Sequence, residues 1–94
     1  MFRIVVLPKA AVQIARLRRL DAVAILNSIE THFRFEPERT SRSSIKRLRG
    51  RQDATYRLRA GQHRVFYDVQ GRQVAVVAVL HKSETHAFYR RSEP

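Results

Sequence analysis

Tyr56-Arg57-Leu58-Arg59-Ala60-Gly61-Gln62-His63-Arg64-Val65-Phe66-Tyr67-Asp68-Val69 is the stretch whose reading decides the fold class. Tyr56, Leu58 and Ala60 alternate with Arg57 and Arg59. His63, Val65, Tyr67 and Val69 then alternate with Arg64, Phe66 and Asp68. A period of two sends successive side chains to opposite faces of a strand. Gly61-Gln62 sits between the two runs as a tight reversal. The stretch therefore predicts a β-hairpin with one apolar face and one arginine-bearing face. Downstream, Gln70-Gly71 predicts a second hairpin turn. The apolar run 74–80 predicts a central strand covered on both faces.

Upstream the period changes. Residues 2–7 are rich in β-branched side chains and predict a first strand, and Pro8 suits the opening of a helix, where its missing N–H is harmless. Over residues 9–20, Ala10, Ala11, Ile14 and Leu17 recur at helical spacing, with Arg16, Arg18 and Arg19 outside the stripe. Asp21 is the expected cap of a second helix with Ala22, Ile25, Leu26, Ile29 and Phe33 on its apolar face. Glu36-Pro37-Glu38 is expected to end it. Residues 39–44 read as a loop, 45–48 as a short strand and 50–53 as a turn. Ser83-Glu84 is expected to open a last short helix carrying His86, Phe88, Tyr89 and Arg90. The order predicts a single α+β domain over residues 1–94. In it an N-terminal strand and a helical hairpin pack on one face of a small, mainly antiparallel twisted sheet, with a short C-terminal helix.

Lys+Arg number 19 against 8 Asp+Glu in 94 residues, a net charge of +11. Such an excess repels itself and calls for an acidic partner: nucleic acid first, an acidic protein second, an anionic membrane third. Only Lys9, Lys46 and Lys82 are lysines, and the planar guanidinium that replaces them elsewhere matches phosphate. The chain has no cysteine, which excludes disulfides and thiolate metal sites and suits a reducing compartment. The opening apolar run stops at Pro8-Lys9, too short for a signal peptide, and no later run reaches membrane-spanning length. The expectation is a soluble cytoplasmic protein.

On the predicted hairpin, Arg57 and Arg59 share a face that Arg64 joins from the adjacent strand. Like charges placed across strands are unfavourable unless an anion lies between them. The bland alternative is a solvated face with its guanidiniums splayed into water. Lys46, Arg47, Arg49 and Arg51 just upstream add weight to a phosphate cradle. Near the C-terminus, His81, His86 and Tyr89 cluster in sequence with Lys82 and Arg90. Histidine exchanges protons near neutral pH, and tyrosine stacks on a base or donates a hydrogen bond. Taken singly, His81 is more often a hydrogen-bonding residue at a strand end and Tyr89 a packing residue at a helix end. Their closeness to the arginine face favours a functional role. The histidines at 32, 63, 81 and 86 are scattered and have no clustered carboxylates. No Gly-rich phosphate loop and no serine or cysteine nucleophile motif appears. Neither a metal nor a cofactor is expected.

Ile45-Lys46-Arg47-Leu48-Arg49-Gly50, the hairpin 56–69, the apolar strand and Leu80-His81-Lys82 together resemble the RelE/ParE toxin superfamily of type II toxin–antitoxin systems. The resemblance covers nearly the whole chain. It implies a small α+β toxin with a cognate acidic antitoxin. In the RelE branch it implies an mRNA interferase, an endoribonuclease that enters the ribosomal A site and arrests translation and growth. There the ribose 2′-OH attacks the neighbouring phosphate and leaves a 2′,3′-cyclic phosphate without a metal. Carried onto this chain, Arg57 and Arg59 occupy the two basic strand positions and Arg64 the arginine after the glycine. Lys82 stands near a further basic position and Tyr89 near the C-terminal tyrosine. Arginines replace the lysines of the founding type, and a guanidinium with a pKa above ~12 is a poor general base. His81 or His86 is then the expected proton handler. Lys46, Arg47, Arg49, Arg51 and Arg90 are the expected RNA contacts. The ParE branch implies a different activity, inhibition of DNA gyrase by binding, and an inactive basic module is a third alternative.

Overall fold

The computed structural model describes residues 1–50 and 54–86. Strand β1 (Arg3–Val6) leads into helices α1 (Pro8–Ala15) and α2 (Arg19–Phe33). Strands β2 (Ile45–Arg47), β3 (Tyr56–Ala60), β4 (His63–Gln70) and β5 (Gln73–His81) follow, then a 3₁₀ turn (Lys82–Glu84). The five strands form one sheet in the order β1-β5-β4-β3-β2, antiparallel except for the β1–β5 pair. The expected α+β architecture is the one observed, with both helices against the same face, and most of the expected C-terminal helix, Phe88 included, lies outside the described residues. Among the described residues no helix is long and apolar enough to cross a membrane.

The helix boundaries differ from the sequence expectation for identifiable reasons. α1 stops at Ala15, and α2 starts at Arg19 with Arg18 as its N-cap. Asp21 is thus not the cap. It lies in the first turn, where its charge favours the positive helix end and meets Arg18 Nε at 3.6 Å. α2 ends at Phe33, short of the Glu36-Pro37 stop. In a continued helix, Pro37 would have to donate an N–H to the carbonyl four residues back, which belongs to Phe33. It has no N–H, and its ring collides there. The released chain latches onto β1: Phe2 N–H donates to Arg34 O at 2.7 Å, and Arg34 Nη1 donates to Phe2 O at 3.1 Å.

The helix face of the sheet holds the main core. Ala10, Ile14, Ile25, Ile29 and Phe33 pack on Tyr56, Leu58, Val65, Tyr67, Val74, Val76 and Val79. Ala11 and Leu26, expected in the apolar stripes, are exposed instead. Tyr67 is fully buried, with its ring centroid 4.0 Å from Phe33 and 5.5 Å from Tyr56. Its hydroxyl donates to Pro37 O at 2.6 Å. Burial pushes the Tyr67 phenol far above its ordinary pKa, so the group stays a donor at any physiological pH. Tyr56 is also raised, first by burial and then by the Glu38 carboxylate that its hydroxyl meets at 3.4 Å.

Both hairpins have two-residue turns, Gly61-Gln62 and Gly71-Arg72. Each places glycine at positive φ in the first central position, as a type II′ turn requires. The second turn therefore lies one residue later than Gln70-Gly71. The apolar strand β5 is interior, but β4 holds the centre of the sheet. β5 also carries a bulge. Tyr67 pairs with Val76 and Phe66 with Ala78, leaving Val77 as the extra residue. Beyond the end of β1, the Val79 N–H is met at 2.7 Å by Gln13 Oε1 from α1.

Candidate functional site

The face turned away from the helices carries the basic residues. Pairing across β2, β3 and β4 places Lys46 opposite Arg57, Arg57 opposite Phe66, and Arg59 opposite Arg64. Directly paired residues project to the same side of a sheet. Lys46, Arg57, Arg59 and Arg64 therefore share one face, as the alternation predicts for the three arginines. They are mounted around a small second core of Phe66, Ala54 and Ala78, with Leu48, Val77 and Leu80 against it. Phe66 is fully buried although it stands among the outward-facing residues of β4.

The four cations differ in setting. Lys46 and Arg59 are exposed, and Arg57 is half-buried. Arg57 Nε is buried and has no hydrogen-bond partner among the described residues. A buried guanidinium nitrogen without an acceptor is costly, and an incoming phosphate oxygen would relieve it. Arg64 folds back on its own turn, with Nη1 donating to Gly61 O and His63 O, each at 3.0 Å. Its guanidinium steadies the turn as well as adding charge.

Other predicted residues lie elsewhere. Arg47 pairs with Tyr56, which puts it on the helix side of the sheet edge, away from the arginine face. Arg49 is exposed beyond the end of β2. His81 pairs with His63, and this register directs it to the helix side while its neighbour Leu80 faces the arginines opposite Arg64. The two imidazoles meet edge to face, with centroids 5.4 Å apart. His81 also caps the 3₁₀ turn. Its Nδ1 accepts from the Ser83 N–H at 3.2 Å and lies 2.8 Å from Ser83 Oγ, and its own N–H donates to Glu84 Oε1 at 3.0 Å. In the neutral ring the proton then sits on Nε2. Lys82 is exposed beside the first hairpin turn, its N–H donating to Gln62 O at 2.8 Å. His86 is exposed just after the turn. Arg51, Tyr89 and Arg90 lie outside the described residues.

Two contributors were missed in the sequence. His63 reads there as one more member of the apolar row, but it is buried and forms half of the histidine pair. Phe66 reads as an outward residue of a polar face, but it forms the base of the cationic surface. Its hydrophobicity within that row was the available signal.

Chemically, the open face offers fixed positive charge, donors in planar forks, and an apolar base at its centre. That combination suits a polyanion with flat apolar groups. Among the described residues no three His, Asp or Glu side chains gather as metal ligands.

Comparison with known proteins gives two positive findings. In structure, the chain is similar to the RelBE2 toxin–antitoxin complex of Mycobacterium tuberculosis, with a TM-score of 0.73 and 21% identity over 85% of this chain and 90% of that one. It is also similar to the archaeal RelE–RelB complex of Pyrococcus horikoshii, with a TM-score of 0.70 and 19% identity over 86% and 94% of the two chains. The RelB–RelE antitoxin–toxin complex of Methanococcus jannaschii gives 0.69 and 18% over 90% and 98%. At these identities the likeness shows the fold. A search of curated proteins by sequence finds no match. The family model for the ParE toxin of type II toxin–antitoxin systems matches residues 4–86. The chain therefore belongs to the ParE toxin family, within the RelE/ParE superfamily of type II toxins.

Proposed function

We propose that this toxin acts on RNA through the open sheet face, as a metal-free endoribonuclease that cuts mRNA on the ribosome. The observation that carries the reading is the convergence of Lys46, Arg57, Arg59 and Arg64 on one surface, with Arg57 Nε buried and unpaired among the described residues. In the reaction the ribose 2′-OH loses its proton and its oxygen attacks the adjacent phosphorus. The bond to the 5′-oxygen breaks, and that oxygen takes up a proton, leaving a 2′,3′-cyclic phosphate. The phosphorane-like transition state gains negative charge, which Arg57, Arg59 and Arg64 would neutralise. Lys82, beside the Gly61-Gln62 turn, would add to that charge. Lys46, Arg49, Arg51 and Arg90 would hold flanking phosphates, with Arg47 contributing from the sheet edge. Proton transfer would fall to His86 or Tyr89, or to His81 if its ring swings away from His63 and Ser83.

A cognate antitoxin would restrain this activity by laying an acidic, partly helical segment over the basic face. Its association would be fast and salt-sensitive. Toxin and antitoxin would act in the cytoplasm.

A second reading is favoured by the ParE family match and by the capping contacts that occupy His81. In it the toxin binds DNA gyrase and has no active site. Expression without the antitoxin, followed by mapping of cellular RNA 5′ ends, separates the two. Codon-phased cuts that vanish with Arg64→Ala and Tyr89→Phe support the nuclease. Intact mRNA together with loss of gyrase supercoiling would establish the gyrase reading and overturn the first.

A further inference from the structure

His32, His63, His81 and His86 are scattered along the chain, but the sheet brings His63 and His81 together. His63 opens β4 and His81 closes β5, directly opposite each other. The Lys82 N–H donates to Gln62 O at 2.8 Å, which makes Gln62 and Lys82 a hydrogen-bonded pair. Such pairs alternate with non-bonded ones along an antiparallel ladder. His63 and His81 are therefore a non-bonded pair, the kind in which the backbones lie closer and the side chains crowd together. Accordingly, the His81 N–H turns away from β4 and donates to Glu84 Oε1 at 3.0 Å.

The two imidazoles are held differently. His63 is only 8% exposed, and neither of its ring nitrogens has a hydrogen-bond partner among the described residues. A buried polar group in that condition calls for an explanation. His81 keeps Nδ1 beside the Ser83 hydroxyl at 2.8 Å, which leaves Nε2 for another partner. Histidines that ligate metals bond their second nitrogen in this way, because the bond fixes the tautomer and the ring's orientation. The spacing of the rings agrees. A ring nitrogen lies about 1.1 Å from its ring centre and about 2.1 Å from a zinc ion that it binds, so two rings on one tetrahedral ion stand about 5.2 Å apart. A square-planar ion would draw them to about 4.5 Å. The centroids of His63 and His81 are 5.4 Å apart. Their planes now stand at 90°. A turn about χ2 swings the nitrogens and leaves the ring centre nearly in place, so the spacing survives that rearrangement.

We infer that His63 and His81 form a two-imidazole site for a zinc ion, with water in the remaining positions. On binding, the His81 proton moves from Nε2 to Nδ1, where it donates to Ser83 Oγ, and Nε2 gives its lone pair to the metal. The contact from the Ser83 N–H to Nδ1, at 3.2 Å, is lost in exchange. Of the charged neighbours in the chain, Lys82 and Arg64 oppose a dication and Glu84 favours it. Glu84 is tied to the His81 backbone, whereas Arg64 belongs to the other face and directs Nη1 at Gly61 O and His63 O. The ion would join the start of β4 to the end of β5 on the helix side of the sheet. The assignment does not depend on the RNA reading.

The test titrates zinc chloride into the full chain by calorimetry, in a buffer that does not chelate metals. One ion should bind per chain. His63→Phe and His81→Ala should each weaken binding at least about tenfold, and Ser83→Ala about tenfold through the lost outer partner of His81. His32→Ala should leave the affinity unchanged. Nitrogen NMR of the parent chain, which needs no variant to fold, should show the imidazole signals of His63 and His81 shifting on zinc addition while those of His32 and His86 stay in place. Affinity that survives the loss of either paired histidine, His63 and His81 signals unmoved by zinc, or no binding by the parent chain would each overturn the proposal.

Discussion

Each face of the sheet buries an aromatic ring completely, Tyr67 toward the helices and Phe66 away from them, but the two rings have different company. Tyr67 lies between Phe33 and Tyr56 and gives its hydroxyl to Pro37, so a helix, the neighbouring strand and a loop converge on it. Among the described residues Phe66 packs with the small Ala54 and Ala78 and the partly buried Leu48, Val77 and Leu80, and the cations of the adjacent strands rise around it. One face thus concentrates stability. The other fixes charge on an apolar base and leaves it accessible. Alternating side chains in β3 and β4 supply both from the same strands, which is how so small a chain supports a cationic surface on a well-packed core.

If that division holds, stability and activity should respond to different faces. The largest effect is expected from Tyr67→Ala, which removes a fully enclosed ring and should cost about 3–5 kcal/mol in chemical denaturation. Tyr67→Phe keeps the ring but strands the Pro37 carbonyl, with a loss of about 1–3 kcal/mol. A small change in either variant would place the structural centre elsewhere.

Arg57→Ala tests the other face. On the proposed nuclease reading, RNA cleavage should fall by about 2–4 kcal/mol of transition-state stabilisation, while folding stability holds or rises because a buried nitrogen unpaired among the described residues is gone. A parallel loss of stability would erase the distinction between the faces.

Gln13→Ala should cost about 1–3 kcal/mol by leaving the Val79 N–H without its acceptor. It should also loosen the bulge, visible as faster amide exchange at Val79. Protection equal to that of the parent protein would show that Gln13 does not hold the bulge.

The smallest effect belongs to the surface. Glu30 is held below its usual carboxylate value of 4.5 by its hydrogen bonds to Arg34. A carboxylate lowered in the folded state stabilises above its unfolded pKa, and that contribution is lost as pH falls through the folded value. Glu30→Gln should therefore slightly lower stability at neutral pH and converge with the parent protein as pH falls below about 4.5, flattening the acid limb by the same small amount. A large loss at pH 7 would mean that the Arg34 latch on Phe2 depends on this pair.

Much of the architecture was legible because it follows from local rules. Period-two alternation and the two glycine turns are backbone chemistry, and they sufficed for β3, β4 and their arginine face. Pro8 and Pro37 mark helix limits, although the second acts four residues back, at Phe33, and not at the residue before it. Asp21 misled because a capping side chain and a first-turn acid look alike in sequence. Phe66 misled because alternation assigns a face and does not say what else packs there.

By itself the sequence determined the strand–helix–helix–sheet order, the net charge, and the arginines sharing one side of a hairpin, since each depends on residues close together in the chain. The place of His81 was decided only in three dimensions. Two-residue turns alone would pair His63 with Leu80 and leave His81 on the arginine side. The extra residue at Val77 shifts the register by one and turns His81 over to meet His63. Two residues beyond the bulge, Val79 is held by Gln13, a helix residue 66 positions away in the chain, through a contact that exists only once α1 has packed on β5.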